Sequence, residues 1–280
     1  MKIALVQIKG EPFAAEANRA LTVDFTRRAF DGGAALVVLP ELIVSGYVTD
    51  GRRLREIAEP VDGPTVDAWH ALARDAGGFV VGGFCERAGD ELYNTAVAVG
   101  PEGLVLHYRK VHLFAAEKHA FAAGDLGFPV AATSAGILGI CVCYDLRFVE
   151  VARLLALRGA QVICVPTAWV PGFDAERCDD EGMCPQAHGA VLQANLNQVF
   201  IACASQCGVA GAFDFLGSSV LADPYGKRAL GPLRGEAELA LADVELDETV
   251  RAQERSPLVS PRADRRTDVY GLWSADGRIL

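Results

Sequence analysis

The chain has 280 residues, of which 51% are hydrophobic and 22% charged, and a formal net charge of −10. That composition suits one large domain with a substantial core, and its acidity disfavours nucleic acid as a partner because Lys and Arg are scattered rather than clustered. No apolar run is long enough to cross a bilayer, so membrane insertion is not expected.

Residues Lys2 to Ile8 read as a strand, too short for the apolar part of a signal peptide, and a cytoplasmic protein is expected. Glu16 to Phe30 carries Leu21, Phe25 and Ala29 at helical spacing and stops at Gly32-Gly33, before a strand over Ala35 to Leu39. The unit repeats. Pro64 to Ala76 opens with proline, places Val66, Trp69 and Ala73 on one face and ends at Gly77-Gly78, ahead of a strand over Phe79 to Phe84. Leu92 to Val99 and Leu104 to Tyr108 flank Gly100-Pro-Glu-Gly103 as a hairpin, which makes the sheet mixed. Ile137 to Val142 is a buried strand, and helical spacing then runs through Phe148, Val151, Ala152 and Leu155 to Gly159.

A strand over Gln161 to Val165, a helix over Gln186 to Leu196 and strands over Val199 to Ala204, Leu216 to Ala222 and Glu238 to Val244 complete the pattern. Beyond Asp247 the periodicity fades, and Ser256-Pro257 and Ser260-Pro261 interrupt the backbone. One α/β domain over 1–247 is expected, with 248–280 an extended arm laid on it or on a partner subunit.

Cys143 stands at the strand-to-helix corner, where a side chain projects from the sheet edge and the following N–H groups face a developing negative charge. The other cysteines, at 85, 141, 164, 178, 184, 203 and 207, lie mostly in apolar runs without a Cys-x-x-Cys pair. They read as reduced residues, with no metal site and no disulfide framework. A cysteine in an apolar run is commonest as a simple core residue, so the neighbouring patterns decide its role. Pro40-Glu41-Leu-Ile-Val-Ser-Gly-Tyr47 and Tyr108-Arg-Lys110-Val-His-Leu-Phe114 end two other strand-like segments.

Together with Cys143-Tyr-Asp-Leu-Arg-Phe148, these stretches resemble the nitrilase superfamily of carbon–nitrogen hydrolases, from Met1 to about Tyr225. The resemblance implies a four-layer αββα sandwich, at least a dimer, and no metal or cofactor. It makes Cys143 the nucleophile, Glu41 the proton shuttle and Lys110 an oxyanion donor, joined by the N–H of Tyr144. The stretch Glu117-Lys-His-Ala-Phe-Ala-Ala-Gly124 matches a segment that in many members carries a second glutamate, here Glu117, to pair with Lys110 or orient substrate. His112 is expected to be structural.

On physical grounds Glu41 would have its pKa raised by burial, and Lys110 would lower that of Cys143. The sequence after Cys143 is closer to amidases than to nitrilases or carbamoylases. The expected reaction is hydrolysis of a small aliphatic carboxamide to its acid and ammonia through a thioester, with a carbamoyl-amine hydrolase or nitrilase as the alternative. Acyl transfer to an amine would share the first half-reaction, and an idle thiol-based scaffold would have no need of Glu41 and Lys110.

Two departures from the family pattern stand out. Phe148-Val149-Glu150 replaces Phe-Pro-Glu, and Gln193-Ala-Asn-Leu-Asn197 replaces an Arg-Ala-x-Glu-Asn stretch, removing an ion pair. Trp169 and Phe173, in the segment bordering the acyl pocket of related amidases, are expected to form apolar walls. Asp174, Glu176, Asp179, Asp180 and Glu181 follow with only Arg177 against them, an acidic run that would favour a cationic amide unless it simply faces water.

Overall fold

Strand β1 (Lys2–Gln7) sends Ile3 and Leu5 to one side and Ala4 and Val6 to the other, and all four are fully buried. A strand apolar on both faces must be covered on both. The computed structural model describes residues 1–172, 177–274 and 277–279. Ile3 and Leu5 meet a second sheet, while Ala4 and Val6 meet helices.

Following β1, the first half of the chain forms α1 (Ala15–Asp31), β2 (Leu36–Val38), α2 (Gly51–Ile57), α3 (Pro64–Ala76), β3 (Phe79–Ala88), β4 (Glu91–Gly100), β5 (Gly103–Arg109) and the single turn α4 (Glu117–Ala120). The second half forms β6 (Val130–Thr133), β7 (Gly136–Ile140), α5 (Val149–Leu157), β8 (Val162–Thr167), α6 (Pro185–Asn197) and β9 (Phe200–Ser205). After these come the hairpin β10 (Cys207–Ala210) and β11 (Phe213–Leu216), then β12 (Val220–Ala222) and β13 (Arg228–Leu230), before β14 (Glu238–Asp243) and α7 (Glu248–Gln253).

The first sheet runs β14-β1-β2-β3-β4-β5 and the second β13-β12-β9-β8-β7-β6. Each has three parallel strands, β1-β2-β3 and β7-β8-β9, flanked by antiparallel ones. Val38, Val81, Ile140, Val142, Cys164 and Ala202 fill the space between the sheets. Phe25 and Trp69 cover the outer face of the first sheet; Val151, Leu155, Ala187 and Ala194 cover that of the second. This is the expected four-layer αββα sandwich in one domain.

Three details differ from the sequence reading. Leu216 to Ala222 is not continuous: Gly217 and Ser218 take φ of 65° and 62°, so β11 ends and β12 begins across a turn. The segment read as an extended arm begins with helix α7, and further on Arg262 reaches back to the carbonyls of Ala156 (3.0 Å) and Asn197 (2.6 Å) at the ends of α5 and α6. The corner at Cys143 is a 3₁₀ turn over Cys143–Arg147, and α5 starts only at Val149. Among the described residues no helix is long and apolar enough to cross a membrane.

Candidate active site

The carboxyl ends of β2, β5, β7 and β8 gather at one edge of the sandwich, where open α/β sheets place ligands. Beyond β2, Leu39-Pro40 carries the chain to Glu41, and Leu42 turns it with φ of 47°. The turn is pinned by the other sheet: Glu41 N donates to Thr167 O at 3.3 Å, and Gln206 Nε2 donates to Glu41 O at 2.8 Å. It also lies against β3 so closely that a Cβ on Gly83 would sit 2.8 Å from Leu42 N and 3.1 Å from Glu41 Cα. Only glycine fits there.

Lys110 directly follows β5. Its N–H donates to Asn94 O at 2.8 Å and its carbonyl accepts from Gly124 N at 2.9 Å. Gly124 lies so near β5 that a Cβ would be 2.0 Å from Arg109 O, which explains the glycine closing the Glu117–Gly124 stretch.

These turns bring three charges together out of water. Lys110 Nζ donates to Glu41 Oε1 at 2.7 Å and to Glu117 Oε1 at 2.9 Å, and all three side chains have zero exposure. Asn94 Nδ2 donates to Glu41 Oε1 at 2.8 Å, Tyr47 OH to Glu117 Oε1 at 2.6 Å and Phe114 N to Glu117 Oε2 at 3.0 Å. Glu41 Oε2 accepts nothing among the described residues.

Burial raises the Glu41 pKa above the ordinary carboxyl value; Lys110 opposes this and Glu117 adds to it. Burial alone would lower that of Lys110, but Glu117 and Glu41 outweigh it and the ammonium is held firmly. Tyr47 is pushed up by burial and by both carboxylates, so it remains a phenol that donates.

Cys143 takes φ of 46°, a strained conformation for a residue with a Cβ, at the head of its 3₁₀ turn. The turn is locked by Asp145, which is completely buried. Its Oδ2 accepts from Tyr108 OH (2.7 Å) and Val142 N (2.9 Å); its Oδ1 accepts from His112 N (2.9 Å) and His112 Nδ1 (2.8 Å). His112 also stacks on Phe148, ring centroids 3.7 Å apart. One carboxylate thus ties the cysteine corner to the segment bearing Lys110, with His112 hydrogen-bonded between them.

Lys110 lowers the pKa of Cys143 as expected, but it does not set the net direction. Burial, then the charge of Glu41, push the Cys143 pKa well up, outweighing Lys110 and a hydrogen bond from the Ala168 backbone. Burial is the larger cause, because taking the thiolate out of water penalises the charged form, and the nearby Glu41 carboxylate adds to it.

Cys143 opens onto a pocket walled by Tyr47, Phe114, Tyr144, Trp169 and Val170, with exposed Arg147 at its margin. Trp169 is fixed beyond β8, its carbonyl accepting from Leu216 N at 2.8 Å. Glu41, Lys110, Glu117, Cys143, Tyr144 and Trp169 are therefore assembled at one place. Phe173, Asp174 and Glu176 lie outside the described residues. Gln193 and Asn197, the family departure on α6, form a neutral pair at 2.9 Å.

Sequence reasoning missed Asn94, Asp145 and the partner of Tyr47. A signal existed for Asn94, because Asn94-Thr95 puts one amide and one hydroxyl side chain in a strand otherwise fit for the core.

A sandwich of two mixed sheets with a buried Glu–Lys pair beneath a cysteine is the architecture of the nitrilase superfamily. Residues 2–254 match the family Carbon-nitrogen hydrolase. A nitrilase of Pyrococcus abyssi is 35% identical over 96% of this chain and 99% of its own length. An omega-amidase of Xenopus tropicalis is 30% identical over 97% of both chains. A variant of the amidase from Nesterenkonia sp. AN1, with acrylamide added at its active site cysteine, superposes with a TM-score of 0.77 at 30% identity, covering 96% of this chain and 98% of that one. The chain belongs to the carbon–nitrogen hydrolase family of the nitrilase superfamily and is an enzyme of the amidase kind.

Proposed function

We propose that the protein hydrolyses a small aliphatic carboxamide to the carboxylic acid and ammonia through a thioester at Cys143. The observation that carries this reading is the buried Glu41, whose Oε1 is held by Lys110 and whose Oε2 accepts no hydrogen bond among the described residues. A thiol with a raised pKa needs a base, and a carboxylate with a raised pKa is one. Cys143 Sγ attacks the carbonyl carbon as its proton passes to Glu41. Lys110 Nζ and the N–H of Tyr144 stabilise the oxyanion. Glu41 then gives the proton to the nitrogen, ammonia departs, and a thioester remains. Water attacks the thioester, losing its proton to Glu41, which returns it to the sulfur as the acid leaves. Glu117 and Tyr47 keep Lys110 charged and oriented.

The pocket walls are apolar and aromatic, which suits a short aliphatic acyl chain. Support for a cationic substrate is thinner. In the acidic run Asp179 accepts from Glu181 N, Met183 N and His188 Nε2, and Glu181 pairs with Arg228 at 2.5 Å. These two carboxylates are engaged within the loop and with α6 and β13.

The test is ammonia release from a panel of neutral, ω-amino and carboxylated amides of matched length at low and high salt, with nitriles and carbamoyl amines alongside. Mass spectrometry of the quenched enzyme should find the acyl group on Cys143. Turnover of nitriles or carbamoyl amines with none of amides would overturn the reading. So would an acyl group found anywhere else.

A further inference from the structure

Asn94 is nearly fully buried on β4, where an unpaired amide is costly. Its side chain donates one hydrogen bond, to Glu41 Oε1, and its Oδ1 accepts none among the described residues. A structural asparagine would use both ends of the amide to join strands. This one is spent on a single carboxylate oxygen.

That oxygen already receives Lys110 Nζ, so Glu41 Oε1 has two donors and Oε2 none among the described residues. A carboxyl group in this setting carries its proton on the empty oxygen. We propose that Asn94 is a positioning residue for the proton shuttle, holding Glu41 so that Oε2 alone takes and returns the proton. The inference rests on the reading of Glu41 as base. The other groups facing Glu41 are Lys110 at the end of β5, Glu117 on α4, Tyr47 in the loop after Glu41, and Cys143 at its corner. All of them remain in an Asn94 variant.

A hydrogen bond to the charged form lowers a pKa, and that of Asn94 to Glu41 acts in this direction. Removing it raises the pKa of Glu41 further, and the base is then lost at a higher pH. In Asn94→Leu, similar in size but without the donor, the acid limb of kcat/KM for the best amide of the panel should move up by about one pH unit, the shift such a bond is worth. On the plateau the loss should stay within about tenfold, and Tm should hold or rise, because an unsatisfied buried amide has gone. Asn94→Ala should shift the limb the same way, and serves if leucine does not fit.

An unmoved acid limb in a folded variant, beside an inactive Glu41→Gln, would overturn the proposal while leaving the base in place. A Glu41→Gln enzyme at full rate would overturn the reading of Glu41 and this inference with it. If neither Asn94 variant folds, the residue is structural and the proposal fails.

Discussion

Lys110 and Glu41 meet at 2.7 Å with neither side chain exposed to solvent. Breaking a buried pair by removing one partner leaves an uncompensated charge. Lys110→Met is therefore expected to lose about 3–5 kcal/mol of stability as well as turnover, because Glu41 and Glu117 would face each other without their cation. Urea unfolding of the variant and wild type measures this. Equal midpoints would show that the pair adds nothing to stability.

Cys143 and Cys141 are two residues apart in sequence but far apart in chemistry. Cys141 is fully buried against the α5 layer, while Cys143 opens onto the pocket. Cys143→Ala should abolish ammonia release, and Cys141→Ala should retain most of it. With iodoacetamide on the folded enzyme, peptide mapping should find Cys143 modified before Cys141. The reverse order, or an inactive but folded Cys141→Ala, would displace the nucleophile from Cys143.

Asp145 receives four donors, and an amide can accept at only one end. Asp145→Asn would set an NH2 against two of them, with a cost of about 1–3 kcal/mol for the unsatisfied groups. Since those donors belong to Val142, Tyr108 and His112, the corner would also drift from Lys110. Turnover should fall more steeply than substrate binding, read as kcat against KM. A variant of wild-type kcat would show that the corner holds without this carboxylate.

Away from the site, Glu86 accepts from Thr95 (2.5 Å) and Arg109 (2.6 Å) and lies 2.8 Å from His107. Burial would raise its pKa, but the hydrogen bonds of His107, Arg109 and Thr95 prevail and hold it down from 4.5 to about 2. The folded state thus binds this proton less readily than the unfolded chain. The stabilisation is fully present above pH 4.5 and is lost as pH falls toward 2. Across that window Glu86→Gln should have a flatter dependence of stability on pH than wild type. Parallel curves would mean that the cluster contributes nothing.

Much of this was legible in the residues because local rules agree with the fold. Short apolar runs marked the strands and helical spacing the helices that cover them, and glycine pairs at 32–33 and 77–78 marked helix ends. Glu41, Lys110 and Cys143 were readable as strand-end residues, and Glu117 only through the resemblance of its segment to the family's. What sequence did not carry is what depends on distant partners. Burial and the charge of Glu41 outweigh the lowering effect of Lys110 on Cys143, and no local pattern states that two acids claim one ammonium. Asn94 and Asp145 act by which oxygen they face, a property of side chains converging from both halves. Helix α7 escaped because its six residues, Glu248–Gln253, are too few for a period to emerge.

The two halves of the sandwich divide the chemistry between them. Glu41 and Lys110 stand at strand ends of the first sheet, Cys143 and Trp169 at strand ends of the second, and the inter-sheet core keeps them in register. Neither sheet alone holds a complete set. A nascent chain released as far as Gly124 would have Glu41 and Lys110 but not Cys143, and the later half would bring Cys143 without Glu41. Competence is therefore expected of the closed sandwich alone, and a partly opened molecule should be inert rather than promiscuous.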